Sequence, residues 1–475
     1  TEHHSNVALD EDNADELKRA QLLTENWSSP VIITTLVQLL DTLFAGKTSC
    51  IRRMHALCDS VIVIDEVQTV PNEMLSLFNT AVNFLSEVCG ATIVLCSATQ
   101  PCLEQTAHPM TENIKDIAPF DEELWRVFRR TQIIDKGGMR LDAIPAFIAE
   151  QLGTTDSLLV ICNLKKQAAY LFTKMKLENT VIFHLSAGMC MAHRMAVISE
   201  INSALERKST NPDAPKVVCI STQVIEAGVD VSFGCVIRLC AGLDSVIQAA
   251  GRCNRNGELN GAADVFIINC RGEDLGMLRS IKDGKMACMS LLSDYEYHPE
   301  KYPSGLTSDE AVYAYYKKLY IQSDIGAQDM PIKIDGSPFT LFDLLSLDRT
   351  FANAPYLKAN GEKYALTQAF KTAGNRFTVF GSSTTDVIVP YGEGKEIIAE
   401  FGSKRAEDDI KYLKKLIKKA RAYTVSLYEN QRRALADSGA LHPIADGIAL
   451  ALSEEFYNED FGLNLDGESR EAITL

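Results

Sequence analysis

Asp65 and Glu66 close an apolar run, Val61-Ile62-Val63-Ile64, and that placement gives them a chemistry. An aspartate at the end of a buried strand is placed to hold Mg2+ through water, and an adjacent glutamate can orient or deprotonate the water that attacks a phosphoryl group. A second set lies in SVIQAAGRCNRNGE, Ser245 to Glu258, where Gln248, Arg252 and Arg255 recur at spacings of four and three. They share one face if a single helix carries all three. Two arginines brought to one point suit an anion whose charge grows during reaction, and an arginine finger gives roughly a thousandfold or more in phosphoryl transfer. Each set also has a plainer reading, a polar turn after a strand for the first and a solvated helix end for the second.

The triplet Gly46-Lys47-Thr48 poses the question of a phosphate loop. The full pattern needs a glycine five residues before the second one and a strand leading in. Position 41 is an aspartate, and Leu36, Val37, Leu39, Leu40, Leu43 and Phe44 are apolar at helical spacing. The triplet therefore follows a helix and reads as a decoy, with Lys47, Arg52 and Arg53 as candidates for surface or nucleic-acid backbone contact.

These side chains require strands to aim them. Val61–Ile64 and Ala91–Cys96 are continuous apolar runs separated by a helical segment from Asn72 to Val88, and the second run ends in Ser97-Ala98-Thr99. Such strands imply a parallel sheet covered on both faces, with ligands at the carboxyl ends, where both polar clusters fall. From about Asp142 to Cys270 the pattern repeats, with runs at Leu158–Cys162, Val181–His184, Val217–Ser221, Val236–Leu239 and Val265–Ile268 alternating with helical segments. The cluster STQVIEAGVDVSF, Ser221 to Phe233, sits in a connection of this unit.

Composition narrows the class. The chain has 475 residues, 46% of them apolar, and a net charge of −16, which argues against a protein that coats nucleic acid indiscriminately. It has neither a run of about 18 apolar residues nor a basic, apolar leader at its N-terminus. The 13 cysteines are scattered singly, without a CxxC pair, and read as reduced thiols of a cytosolic protein.

In order and spacing, DE after a strand, SAT after the next, then STQxxExGxD and QxxGRxxR resemble the superfamily 2 helicases. The resemblance implies an α/β protein with two RecA-like parallel-sheet domains that clamp ATP and Mg2+. It makes Asp65 and Glu66 the Walker B pair, with Asp65 holding the metal through water, and has Ser97 and Thr99 couple nucleotide to nucleic acid. Gly228 and Asp230 would line the nucleotide cleft, while Gln248, Arg252 and Arg255 contact the phosphates.

A narrower likeness runs through HHS at His3–Ser5, ENWSSPVIITTLVQLLDTLF at Glu25–Phe44, RMH before DEVQ, SATQP at Ser97–Pro101 and HLSAGMCMAHR at His184–Arg194. These stretches resemble the CRISPR-associated helicase-nuclease of type I systems, up to about residue 270. That family implies a prokaryotic cytoplasmic motor recruited by the crRNA-guided surveillance complex (Cascade). Such a motor moves 3′ to 5′ along the displaced single strand of DNA and degrades it with a separate metal-dependent HD nuclease domain. Neither GxxxxGK[ST] nor a His-Asp dipeptide occurs in this sequence. The family pattern places both upstream, so the chain is expected to be a C-terminal piece, a fragment or one half of a split protein, inactive alone. Catalytically silent binding and a generic DExH RNA helicase stand as alternatives.

For nucleic acid, Thr34, Thr35 and Thr222 resemble superfamily positions that bond strand phosphates, with His193 and Arg194 as additions; helix capping is the alternative. The expected domains are 1–135 and 136–272, both RecA-like with the first incomplete, then a mainly helical linker at 273–375 and a small α+β accessory domain at 376–475. In the last, TVFG, DVIVPYGEG and EIIAEFG read as strands, and Lys404–Arg421 as a basic helix with an apolar stripe.

Overall fold

The computed structural model describes residues 2–3, 23, 25–111, 114–118, 129–226, 228–259, 261–276, 278–321, 326–346, 361, 368–379 and 384–465. Most of the N-terminal polar stretch, including Ser5 of the HHS motif, and the end of TVFG lie outside them. The chain divides into two units, Thr1–Pro119 with Ser308–Gly381, and Phe120–Thr307 with Ser382–Leu475.

In the first unit, helix α1 (Leu36–Phe44) precedes strand β1 (Val61–Ile64), helix α2 (Leu75–Glu87) and strand β2 (Thr92–Leu95). β1 and β2 pair in parallel with Val61 opposite Thr92 and Ile64 opposite Leu95. α2 buries Leu75, Phe78, Val82 and Leu85 at helical spacing. The expectation of a sheet covered on both faces fails here. Val61 and Val63 are 70% and 61% exposed, because strand alternation turns them away from the side that buries Ile64. The later stretch joins this unit through side chains: Ser76 Oγ donates to Asp329 Oδ1 at 2.5 Å, and Gln328 Oε1 accepts from the N–H of Ala107 at 2.8 Å.

The second unit holds a six-stranded parallel sheet of β3 (Thr131–Arg140), β4 (Ser157–Cys162), β5 (Thr180–Leu185), β6 (Lys216–Thr222), β7 (Cys235–Leu239) and β8 (Ala263–Arg271), in the order β3-β8-β7-β4-β6-β5. The runs are apolar throughout because both faces are covered. Leu158, Val160 and Cys162 enter one core with Val218, Ile220 and Ile237. Their neighbours Leu159 and Ile161 enter the other, with Val217, Cys219 and Val236. Helices α3 (Lys165–Lys174), α4 (Met191–Thr210), α5 (Leu243–Ala250) and α6 (Arg279–Tyr297) belong to this part, as does the helix Ile144–Gln151 that enters the first core. A mixed sheet follows, β9 (Thr384–Ile388), β10 (Thr424–Tyr428), β11 (Leu441–Ile444) and β12 (Ala449–Leu452), in the order β10-β9-β12-β11.

The division differs from the expected domains. β3 begins before residue 135 and pairs along its length with β8, so the second unit starts earlier. The 273–375 segment is not one linker. α6 belongs to the second unit, whereas the helix Asp309–Ile321 and the hairpin Pro331–Ile334 with Ser337–Thr340 belong to the first.

Two local expectations change as well. EIIAEFG lies in helix α7 (Gly394–Phe401), with Ile397 and Phe401 buried one turn apart. The basic helix breaks at Asp409, whose extended backbone starts α8 (Ile410–Ala420) and whose carboxylate caps the N–H groups of Lys411 and Tyr412.

Candidate active site

At the end of β1, Asp65 is exposed and its Oδ1 accepts the N–H of Glu66 at 2.9 Å. That bond accompanies a left-handed backbone at Glu66, φ 52°, which turns the chain out of the strand. The Glu66 carboxylate accepts from Gln68 Nε2. Ser97, just past β2, reaches the other end of the same amide, its Oγ 2.5 Å from Gln68 Oε1. Ser97 Oγ also accepts the N–H of Thr99 at 3.0 Å, and Thr99 Oγ1 lies 3.3 Å from the hydroxyl of Tyr316. DEVQ and SAT are thus one hydrogen-bonded chain, with Gln68 as its middle link. Thr99 is buried at the end of that chain, while Asp65 stands in solvent.

The donor set suits Mg2+. No group of three or more His, Cys, Asp or Glu side chains forms a metal cage among the described residues. Mg2+ in phosphoryl-transfer sites is ordinarily held by one or two carboxylates, water and the substrate's own phosphates, and an exposed Asp65 supplies that share.

In the second unit Gln248, Arg252 and Arg255 do not share a helical face. α5 ends at Ala250, and the chain beyond it is captured by Phe233. The N–H of Phe233 donates to Arg252 O at 2.9 Å and the N–H of Asn254 to Phe233 O at 2.8 Å. Gln248 remains on the helix, half-buried. Arg252 is buried, and its guanidinium donates to the carbonyls of Ile225 at 3.0 Å and Glu226 at 2.7 Å. Arg255 is the accessible arginine, with its Nε 2.9 Å from Oδ1 of the exposed Asp230. Gly228, beside Asp230, has φ 72°, a backbone that disfavours any side chain there.

Behind these loops lies a buried network that the sequence reading did not assign. Arg238, in the middle of β7 with 0% exposure, has its Nε 2.7 Å from Glu226 Oε1. It donates to Asn163 Oδ1 at 2.6 Å and to Leu239 O at 2.8 Å. Asn163 Nδ2 and Gln167 Nε2 donate to Glu273 Oε1 at 3.0 and 2.9 Å, and Glu273 Oε2 meets Lys285 Nζ of α6 at 2.6 Å. Burial pushes the Glu226 carboxyl up to about 7 against the pull of Arg238. The signal in the sequence was an arginine inside an apolar strand run, CVIRL.

The nucleic-acid candidates divide. Thr35 caps α1, its side chain accepting the N–H of Gln38 at 3.3 Å, and Thr34 precedes it in a short strand with Ile33. Thr222 closes β6 with Oγ1 buried and without a hydrogen-bond partner. Arg194 has a buried Nε, likewise unpartnered. His193 is not on an open track: it is 2% exposed, stacked on Tyr391 at 4.1 Å, with Nδ1 3.0 Å from the Tyr457 hydroxyl. Burial lowers its pKa, removing the charge a phosphate would seek.

The triplet at 46–48 has a packing role. Gly46 donates its N–H to Gly374 O at 3.1 Å, and a Cβ on Gly374 would lie 2.6 Å from the Gly46 backbone, so position 374 needs glycine.

Residues 154–258 match the family model described as CRISPR-associated nuclease/helicase Cas3, C-terminal. That stretch is Cas3-like in sequence. Over 332 residues the chain is 25% identical to the Cas3 nuclease/helicase of Haloferax volcanii, covering 52% of this chain and 35% of that protein. It is 26% identical over 196 residues to the ATP-dependent RNA helicase eIF4A of Meyerozyma guilliermondii, 40% of this chain and 46% of the other. The crystal structure of T. fusca Cas3-ATP superposes with a TM-score of 0.54 at 14% identity, over 89% of this chain and 54% of that one. The Cas3-like chain thus spans about a third of the Haloferax relative's length, and the superposition shows a shared RecA-like α/β fold.

Proposed function

We propose that this chain is the motor portion of an ATP-dependent single-stranded DNA translocase. It would act with a P-loop segment and an HD nuclease to unwind and degrade target DNA in type I CRISPR interference. The observation that carries the reading is the chain Glu66–Gln68–Ser97–Thr99, which ties a Walker B carboxylate to the SAT segment through a single amide. A change at the carboxylate is thereby felt at Ser97 without intervening solvent.

In the proposed cycle Mg2+, when bound, would supply charge neutralisation. Asp65 would hold that ion through water, and Glu66, aimed by Gln68, would orient the attacking water. Arg255 exchanges Asp230 for phosphate oxygens, and Arg252 holds the loop that carries Gly228 and Asp230. Gln248 adds a neutral donor beside them. Thr34 and Thr222, with Arg194, contact strand phosphates, and base pairing in the surveillance complex (Cascade) supplies sequence choice. The work would take place in a prokaryotic cytoplasm. The exposed Val61 and Val63 fit a further segment packed on that face of the sheet, as a helix following a P-loop would be.

Single-strand-stimulated ATP hydrolysis, measured with and without a P-loop segment joined to this chain, tests the reading. Stimulated turnover in the joined protein is expected; ATP binding without turnover would leave a silent binding module. The likeness to eIF4A favours a second reading, an RNA motor, which stronger stimulation by RNA than by DNA would support.

A further inference from the structure

The cysteines are not equivalent. Of the 13 free thiols, ten are buried, Cys89 and Cys96 are half-buried, and Cys58 alone is exposed. Cys58 and Cys89 are also neighbours. Val61 pairs with Thr92, and Cys58 and Cys89 lie three residues before them, in the turns that lead into β1 and β2. The N–H of Asp59 donates to the Cys89 carbonyl at 2.9 Å, so the two chains still run side by side at this level. The Asp59–Cys89 bond thus brings together the two turns that carry these thiols, Cys58 on the exposed side.

Gly90 maintains the arrangement. Its φ is 67°, and a Cβ there would meet Asp59 Oδ1 at 2.6 Å, so only glycine lets the chain turn directly after Cys89 while resting on Asp59. A disulfide needs Cα atoms roughly 4.4–6.8 Å apart, a close approach that the Asp59–Cys89 backbone hydrogen bond favours. Cys240 and Cys288 each have 0% exposure and no route to a reagent.

We propose that Cys58 and Cys89 are a redox-reactive thiol pair that closes into a disulfide when it meets a small disulfide such as oxidised glutathione. The exposed Cys58, as thiolate, attacks one sulfur of the reagent, breaking its S–S bond and releasing one glutathione thiolate, which takes up the proton lost from Cys58. Cys89 then attacks Cys58 Sγ in the mixed disulfide, releasing the second glutathione, and the Cys89 proton passes to it. The protein loses two electrons and two protons, and the reagent gains both. The bond would staple the leading ends of β1 and β2, whose far ends carry Asp65 and Ser97. It encloses the DEVQ segment and α2 while leaving their hydrogen bonds untouched.

The test is incubation of the whole chain with oxidised glutathione, followed by thiol counting in denaturant and peptide mapping. Two thiols fewer than in the reduced protein, a linked Cys58–Cys89 peptide pair and a thermal midpoint raised by about 5 °C or more are expected, all reversed by dithiothreitol. Cys58→Ser and Cys89→Ser should each abolish the linkage, and Cys240→Ser should retain it. Glutathione left attached to Cys58 alone, a bridge between any other cysteines, or an unchanged thiol count would overturn the proposal.

Discussion

Arg238 has no exposure, so its charge is tolerable only because Glu226, Asn163 and the Leu239 carbonyl surround it. Taking it away leaves the buried Glu226 carboxyl, already pushed up to about 7, protonated and without its partner, and Asn163 Oδ1 without its donor. Arg238→Met should cost about 3–5 kcal/mol in urea unfolding, and Glu226→Gln in the same background should recover part of that. A loss below about 1 kcal/mol would refute the assignment. His184 gives a pH dependence. It sits between Phe172 and Phe461, with ring centroids at 5.6 and 5.3 Å, and burial lowers its pKa from 6.5 to about 4. The unfolded chain therefore binds a proton that the folded one refuses between these values. Stability from this residue is complete above pH 6.5 and lost as pH falls toward 4, by up to about 3 kcal/mol. A His184→Gln variant should show a shallower decline over that window, and an unchanged slope would count against it. The place of Asp65 and Glu66 at the end of β1 was legible because a strand end announces itself within a few residues. The task of Arg252 was not, since its partners are carbonyls 27 and 26 positions earlier that only the fold brings near.

Among elements, the parallel sheet of the second unit could be read from the sequence because each run is apolar on both faces, a pattern with few alternatives. Short runs with one buried face were harder. EIIAEFG offers Ile397, Ile398 and Phe401, which fit a strand's composition, yet Ile397 and Phe401 lie one helical turn apart and face a common core. α8 rests on one side chain at its start. Asp409→Ala removes the acceptor of two N–H groups and should cost about 0.5–2 kcal/mol, read from the unfolding of the C-terminal sheet and its helices. Gly374 is a stricter case: Gly374→Val would push a side chain into the backbone of Gly46. The first unit should then lose protection against protease while the second keeps it, and equal resistance of both would argue against the contact.

At the scale of the molecule, each unit is built from two separated stretches, a plan no local pattern could disclose. Contacts such as Thr99–Tyr316 and Ser76–Asp329 join residues more than 200 positions apart. A chain stopped after Thr307 should therefore keep a protease-resistant core spanning β3 to β8 while residues 25–111 are digested. Survival of both would show that the later stretch is dispensable. The interleaving also sets an order of events during synthesis. At about 5–20 residues per second, the ribosome delivers Ser308 roughly 10–40 s after Pro119. For that interval the DEVQ and SAT strands have emerged without the helix that will hold Thr99, whereas the six-stranded sheet can close as soon as β8 appears. The unit begun first is finished second, and the nascent chain spends the wait with Thr99 and Ser76 still lacking the partners that will close over them.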